Sequence, residues 1–190
     1  RSSDMGAQVL GDVFAALESA AQGIGCWPDS ETAFARFRGD GWQMALPPVY
    51  AMRAALVMRA AVRTTGKGHD TRFGIGIGVG HLTGNDLAGA DGPAFLQSGH
   101  ALDTLKRAPR MAAPDAPQHL RTALPLADRI ALGWTQKQAQ VVLALLAPNA
   151  PTQDALAQNL GRSRQMTQKQ AESAGVSALL DCCSAFETQK

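Results

Sequence analysis

Two groups of side chains in this chain of 190 residues have types and spacings that could do chemistry. The first is Arg162, Ser163, Arg164, Gln165, Gln168 and Lys169. Guanidinium and ammonium groups hold phosphates, and Arg and Gln read base edges in the major groove, so this set would suit a helix that contacts DNA. The second is Arg38-Gly39-Asp40-Gly41. An Asp at a glycine-rich tip can ligate a magnesium ion that bridges nucleotide phosphates, and bare glycines let a phosphate reach the backbone. The same residues are equally favoured in an ordinary tight turn. Asp91-Gly92 is a further candidate nucleotide contact, in a later loop.

Other chemistries find little support. Cys26, Cys182 and Cys183 are an odd number, and the adjacent pair is strained for bridging, so free thiols that behave as small hydrophobes are expected. His69, His81, His100 and His119 lie too far apart for a local metal motif, and His81 and His100, candidates for general bases, lack partners at readable spacing. A Rossmann fingerprint fails because Val79 stands where the third glycine after Gly74 and Gly76 would fall, and there is no Walker A motif. Eighteen Lys and Arg against 16 Asp and Glu give a net charge of +2, too small on its own to name a polyanionic partner. No apolar run approaches the roughly 20 residues that span a bilayer, and no signal-like start is present, so a cytoplasmic protein without a membrane partner is expected.

The elements that must position the two groups follow from periodicity. Val9, Val13 and Leu17 predict a helix from Asp4 to about Ala21, with Ser3 or Asp4 as its cap. Ala33 to Arg38 and Trp42 to Leu46 around Gly39-Asp40-Gly41 predict a hairpin. Pro47-Pro48 ends it and opens a helix from Val49 to about Arg63, with Met52, Leu56 and Ala60 on one face. From Phe73 to Gly80 the period is two, with β-branched residues alternating with Gly74, Gly76, Gly78 and Gly80. Glycine weakens a strand, so either a helix packs unusually close to that face or a ligand approaches it. Thr83 to Gly92 reads as a loop, and Asp91 as the cap of a helix from about Ala94 to Arg107 that buries Phe95, Ala101 and Leu105.

Pro109, Pro114, Pro117 and Pro125 mark a change in composition, and the expected organisation is a first domain over 1–112, a Pro-rich linker over 113–125 and a helical domain over 126–190. In the last, Leu126 to Leu132 is a short helix, and Thr135 to Gln138 is a capping box that opens a helix through Val141, Val142, Leu145 and Leu146. A helix from Thr152 is stopped at Leu160-Gly161, and Ser163 caps the next, which runs to Gly175. Two short helices across a glycine turn predict a helix-turn-helix, with Leu156, Ala157, Leu160, Met166, Thr167 and Ala171 inward and Arg162, Arg164, Gln165, Gln168 and Lys169 outward.

The order of helix, Gly-Asp hairpin, helix, Arg72-Phe73-Gly74-Ile75-Gly76-Ile77-Gly78 strand, and Gly89-Ala90-Asp91-Gly92-Pro93-Ala94-Phe95 loop resembles the bacterial SatD family. More distantly it is similar to the palm of class III nucleotidyl cyclases and GGDEF diguanylate cyclases. The resemblance covers nearly the whole chain, and it implies an α+β fold: a ferredoxin-like, nucleotidyl-cyclase-type palm followed by an all-α helix-turn-helix domain. It also implies a first, central palm strand upstream, for which Arg1-Ser2-Ser3 would be the remainder of the exit turn. Asp40 would match the second metal-binding Asp of the cyclases, with the first lying before Arg1. Ala94 to Gly99 offers Phe95, Leu96 and Gln97 where cyclases carry an Asn and Arg pair, and Gly41 stands where diguanylate cyclases carry Glu. The implied protein is a regulator, a homodimer on DNA, whose palm lacks that catalytic equipment and dimerises or senses a nucleotide. The alternative is a magnesium-dependent nucleotide-processing enzyme built on the same palm.

Overall fold

The computed structural model of the chain describes residues 2–37, 39–105 and 109–188. Helix α1 spans Ser2–Gly25 and buries Phe14, Leu17, Ala21 and Ile24 at helical spacing, one turn beyond the predicted end. Strands β1 (Ala33–Arg36) and β2 (Trp42–Ala45) form the predicted antiparallel hairpin, in the register Ala33 to Ala45 through Arg36 to Trp42. Its tip closes with Phe37 N–H donating to the Gly41 carbonyl at 2.9 Å, and Gly39 takes φ +79°, where glycine is favoured. A short 3-10 turn over Pro48–Tyr50 leads into α2, Ala51–Thr64.

Helix α2 is the hub. Every residue from Ala51 to Val62 is buried, and the helix packs against α1 on one side and the C-terminal helices on the other. Helices α4 (Gln118–Leu132), α5 (Gln136–Leu145), α6 (Gln153–Asn159), α7 (Arg164–Ser173) and α8 (Val176–Glu187) complete the helical part. Phe14, Leu56, Leu120, Val142 and Leu179 belong to one continuous core, so the residues on either side of 113–125 are not separated by a solvated gap. The chain is thus mixed α+β and dominated by helix.

The expected linker is a correction in part. From Gln118 it is helical, in one piece with the helix predicted to begin at Leu126. Pro117 sits at the N-cap and costs nothing there, and Pro125 forgoes a single bond inside a helix that buries Leu120, Leu124 and Ala131.

The glycine-rich stretch behaves partly as predicted. Strand β3, Phe73–Gly74, pairs in parallel with β6, Met111–Ala112, and Ile75 N–H continues the ladder to the Ala112 carbonyl at 2.8 Å. Beyond Ile75 the predicted strand has no ladder partner among the described residues. Helix α3, Pro93–Thr104, lies so close to the glycine face that a Cβ at Gly74 would overlap Ser98 O and one at Gly76 would overlap Ala94 O. Of the two reasons for the glycines, close helix packing is the one observed.

The segment predicted as a loop contains a second hairpin, β4 (His81–Thr83) with β5 (Asp86–Asp91), turning at Gly84 with φ +61°. Asp91 therefore ends a strand opposite His81 and does not cap α3, whose N-cap is Gly92, without a side-chain cap.

Candidate functional site

The packing of α5, α6 and α7 sets the surface of α7. At the start of α5, Thr135 accepts from Gln138 N–H and its own N–H donates to Gln138 Oε1 at 2.8 Å, the predicted capping box. Thr152 caps α6 and Ser163 caps α7, each accepting a backbone N–H three residues on at 3.2 Å. Gly161, at φ +60°, makes the turn between them, and Arg162 N–H reaches back to the Ala157 carbonyl at 2.9 Å. Thr167, Ala171 and Ala174 are buried along one face of α7, and Trp134, itself buried, holds the end of that helix by donating from Nε1 to the Ala174 carbonyl at 3.0 Å.

That orientation leaves Arg164, Gln165, Gln168 and Lys169 exposed on a single face of α7, toward its N-terminal end. Ser163 is exposed at the cap. Arg164 lies 3.4 Å from Asp154, but both side chains are about two-thirds exposed, at 67% and 61%, so the pair is weak and the guanidinium stays at the surface. Gln168 donates to Glu172 at 2.9 Å, one turn on.

Two expectations need correction. Arg162 does not belong to the exposed set: its guanidinium bonds to Gln140 Oε1 on α5, to Gln170 Oε1 at 2.9 Å and to the Lys137 carbonyl at 3.3 Å. It braces α5 against α7. Met166, expected to face inward, is 50% exposed, because helical phase gives the inward position to Thr167, whose hydroxyl satisfies itself on the Ser163 carbonyl at 3.2 Å.

The nucleotide candidates do not converge in the same way. Arg38 lies outside the described residues. Gly39 and Asp40 are exposed at the tip of the β1–β2 hairpin, and Asp40 and Gly41 border one end of a groove between that hairpin and β3. Asp91 is exposed at the end of β5. Gly92 has a packing reason of its own, since a Cβ there would stand 2.9 Å from the Val79 carbonyl and the residue takes φ +112°. The first α3 amides are also spoken for: Ala94 N–H donates to Val79 O at 3.1 Å and Phe95 N–H to Gly92 O at 3.1 Å. Among the described residues no group of three His, Cys, Asp or Glu side chains is placed to hold a metal, so Asp40 has no companion set there.

No family model, curated protein or solved structure matches this chain. No helix of the described residues is long and apolar enough to cross a membrane.

The polar groups that periodicity missed are internal and structural. Arg59, fully buried in α2, grips Asp70 with Nε and Nη2 at 3.0 Å each and bonds to the Asp128 carboxylate on α4. Arg63 adds a bond to Asp70 at 3.2 Å and one from Nε to the Trp134 carbonyl at 3.0 Å. Arg53 donates to Glu187 on α8 at 2.8 Å and to the Leu146 carbonyl at 2.8 Å. The Glu187 hydrogen bond raises the Arg53 pKa further, against the opposing effect of burial. Next to it, burial pushes the Cys183 thiol up to about 12. The available signal was three arginines in an otherwise apolar helix, which need buried partners wherever they lie.

Proposed function

We propose that the protein is a DNA-binding regulator, and that α6 and α7 are a helix-turn-helix whose second helix enters the major groove. Thr167, Ala171 and Ala174 lock one face of α7 to its neighbours, and the opposite face offers Arg164, Gln165, Gln168 and Lys169. That single observation carries the reading: two cations and two amides share one exposed face near the N-terminus of a helix held rigidly from behind. In such a docking Arg164 and Lys169 bind phosphates, while Gln165 and Gln168 reach base edges, where amides pair with adenine. Ser163, at the cap, sits beside the phosphate backbone.

The α1, α2 and β1 to β3 layer is read as a SatD-like, cyclase-type palm of ferredoxin-like topology without catalytic duty. Its role is to dimerise the protein, as two-fold operators require, or to sense a nucleotide in the cytoplasm. The Arg164→Ala/Lys169→Ala double variant tests the proposal. DNA affinity falls for every duplex alike, read by fluorescence anisotropy, and Tm is unchanged. Unaltered affinity overturns the reading.

A further inference from the structure

Helices α4 and α8 lie side by side and run in opposite directions. His119, in the first turn of α4, meets Phe186, in the last turn of α8, with ring centroids 4.8 Å apart. At the other end Gly175, the N-cap of α8, is so near Ile130 that a Cβ on it would stand 3.2 Å from the Ile130 side chain. Each helix buries one face, with Leu120 and Leu124 on α4 and Leu179 and Cys183 on α8. The helical period then sets Ala123, Leu126 and Ile130 along the flank of α4 beside α8, and Ala178 and Cys182 along the facing flank of α8. The result is an apolar valley open to solvent, in which Leu126 is 68% exposed.

Its two rims carry opposite charges. Arg129 stands on the outer side of α4 and Asp181 on the outer side of α8, away from the buried face of each helix. Both are exposed, and neither has an ion-pair partner among the described residues.

We infer that this valley is a self-association face, on which a second copy of the chain packs about a two-fold axis parallel to the helices. Such an axis lays α4 of each copy over α8 of the other, and the four helices form a bundle in which every neighbour runs in the opposite direction. It also brings the Arg129 rim of each copy onto the Asp181 rim of the other, so both charges gain a partner twice over. A two-fold axis running across the helices would instead set Arg129 against Arg129, which like-charge repulsion disfavours. The occupant is a second copy because the face is complementary to itself, as an isologous interface must be. A foreign acidic helix would match the Arg129 rim and oppose the other. The inference does not rest on the DNA reading. Combined with it, dimerisation moves to the helical part that carries α7, and the sheet layer is left with the sensing role.

The test is sedimentation velocity of the 190-residue chain between about 1 and 100 µM, where a monomer–dimer equilibrium is expected. Leu126→Asp raises the dimer Kd at least about 30-fold by placing a charge in the apolar valley. Arg129→Glu and Asp181→Arg each raise it about tenfold, because like charges then face each other, whereas the double variant with both exchanges returns to within about threefold of the parent. All three positions are exposed, so circular dichroism of the monomer is expected to be unchanged. If Leu126→Asp nevertheless loses helix, the charge exchange decides alone. A chain that stays monomeric throughout the range overturns the inference. So does a dimer whose Kd ignores these substitutions, which would put the contact elsewhere, and so does failure of the double exchange to restore it, which would rule out this axis.

Discussion

Arg162 and Arg164 stand two residues apart and have different tasks. Arg162 ties Gln140 to Gln170, so Arg162→Ala is expected to lower stability by about 1–2 kcal/mol, read as a shift of the urea midpoint. Arg164 is a surface cation paired only weakly with Asp154. Arg164→Ala changes stability by less than about 0.5 kcal/mol, yet reduces the salt slope of DNA binding by about 0.9 for the phosphate contact it loses. A reversal of these two phenotypes would contradict the assignment. The cysteines give a second residue-scale check. Cys26 is exposed and labels readily at pH 8, whereas Cys183 is buried and its thiol is held protonated, so it labels only after denaturation. Its pKa is raised from 9.0 to about 12, so the stability it contributes is fully present below pH 9 and is lost as pH rises from 9 toward 12. A denaturation midpoint that does not fall over that window in the native protein, relative to Cys183→Ala, would contradict this. The exposed polar face of α7 was legible because capping residues and glycine turns act locally. The task of Arg162 was not, since its partners Lys137 and Gln140 lie on another helix, more than 20 residues away.

At the scale of elements, the glycines of the β3 run separate packing from permissiveness. Gly76→Ala drives a methyl into the Ala94 carbonyl and within 2.8 Å of Ser98 N, and backbone cannot yield cheaply. It is expected to cost about 1–3 kcal/mol, as overpacking does. Gly78→Ala, whose nearest neighbour would be 3.9 Å away, stays within about 0.5 kcal/mol. Equal losses in thermal denaturation would remove close α3 packing as the reason for the alternation. The β1–β2 hairpin was readable because Gly39-Asp40-Gly41 encodes its own turn, and the α5 helix because Thr135 and Gln138 encode their own cap. The β4–β5 hairpin was missed because Ala88-Gly89-Ala90 has little strand propensity, although Gly84-Asn85 is a turn signal. The α4 helix was truncated because Pro117 and Pro125 are breakers by composition, while Leu120 and Leu124, buried against the rest of the core, override them.

For the molecule as a whole, α2 joins what the sequence separates. Arg59 meets Asp128 across 69 positions and Arg53 meets Glu187 across 134, and no local pattern shows such pairings. Removing Arg59 leaves Asp70 and Asp128 without their shared cation. Arg59→Met is expected to cost about 3–5 kcal/mol, and unfolding remains a single transition because both parts share one core. Two separated transitions would show that the parts are independent. Helix α2 packs on α5, and α5 packs on α7.

The central claim is that α7 is a DNA-contacting helix, and its most direct test is a fluorescence-anisotropy titration of the protein against mixed-sequence duplex DNA at two salt concentrations. Phosphate contacts by Arg164 and Lys169 alone predict that affinity falls about tenfold between 50 and 200 mM salt, with a steeper fall for a dimer. Absence of binding at low salt, or affinity indifferent to salt, would contradict the account.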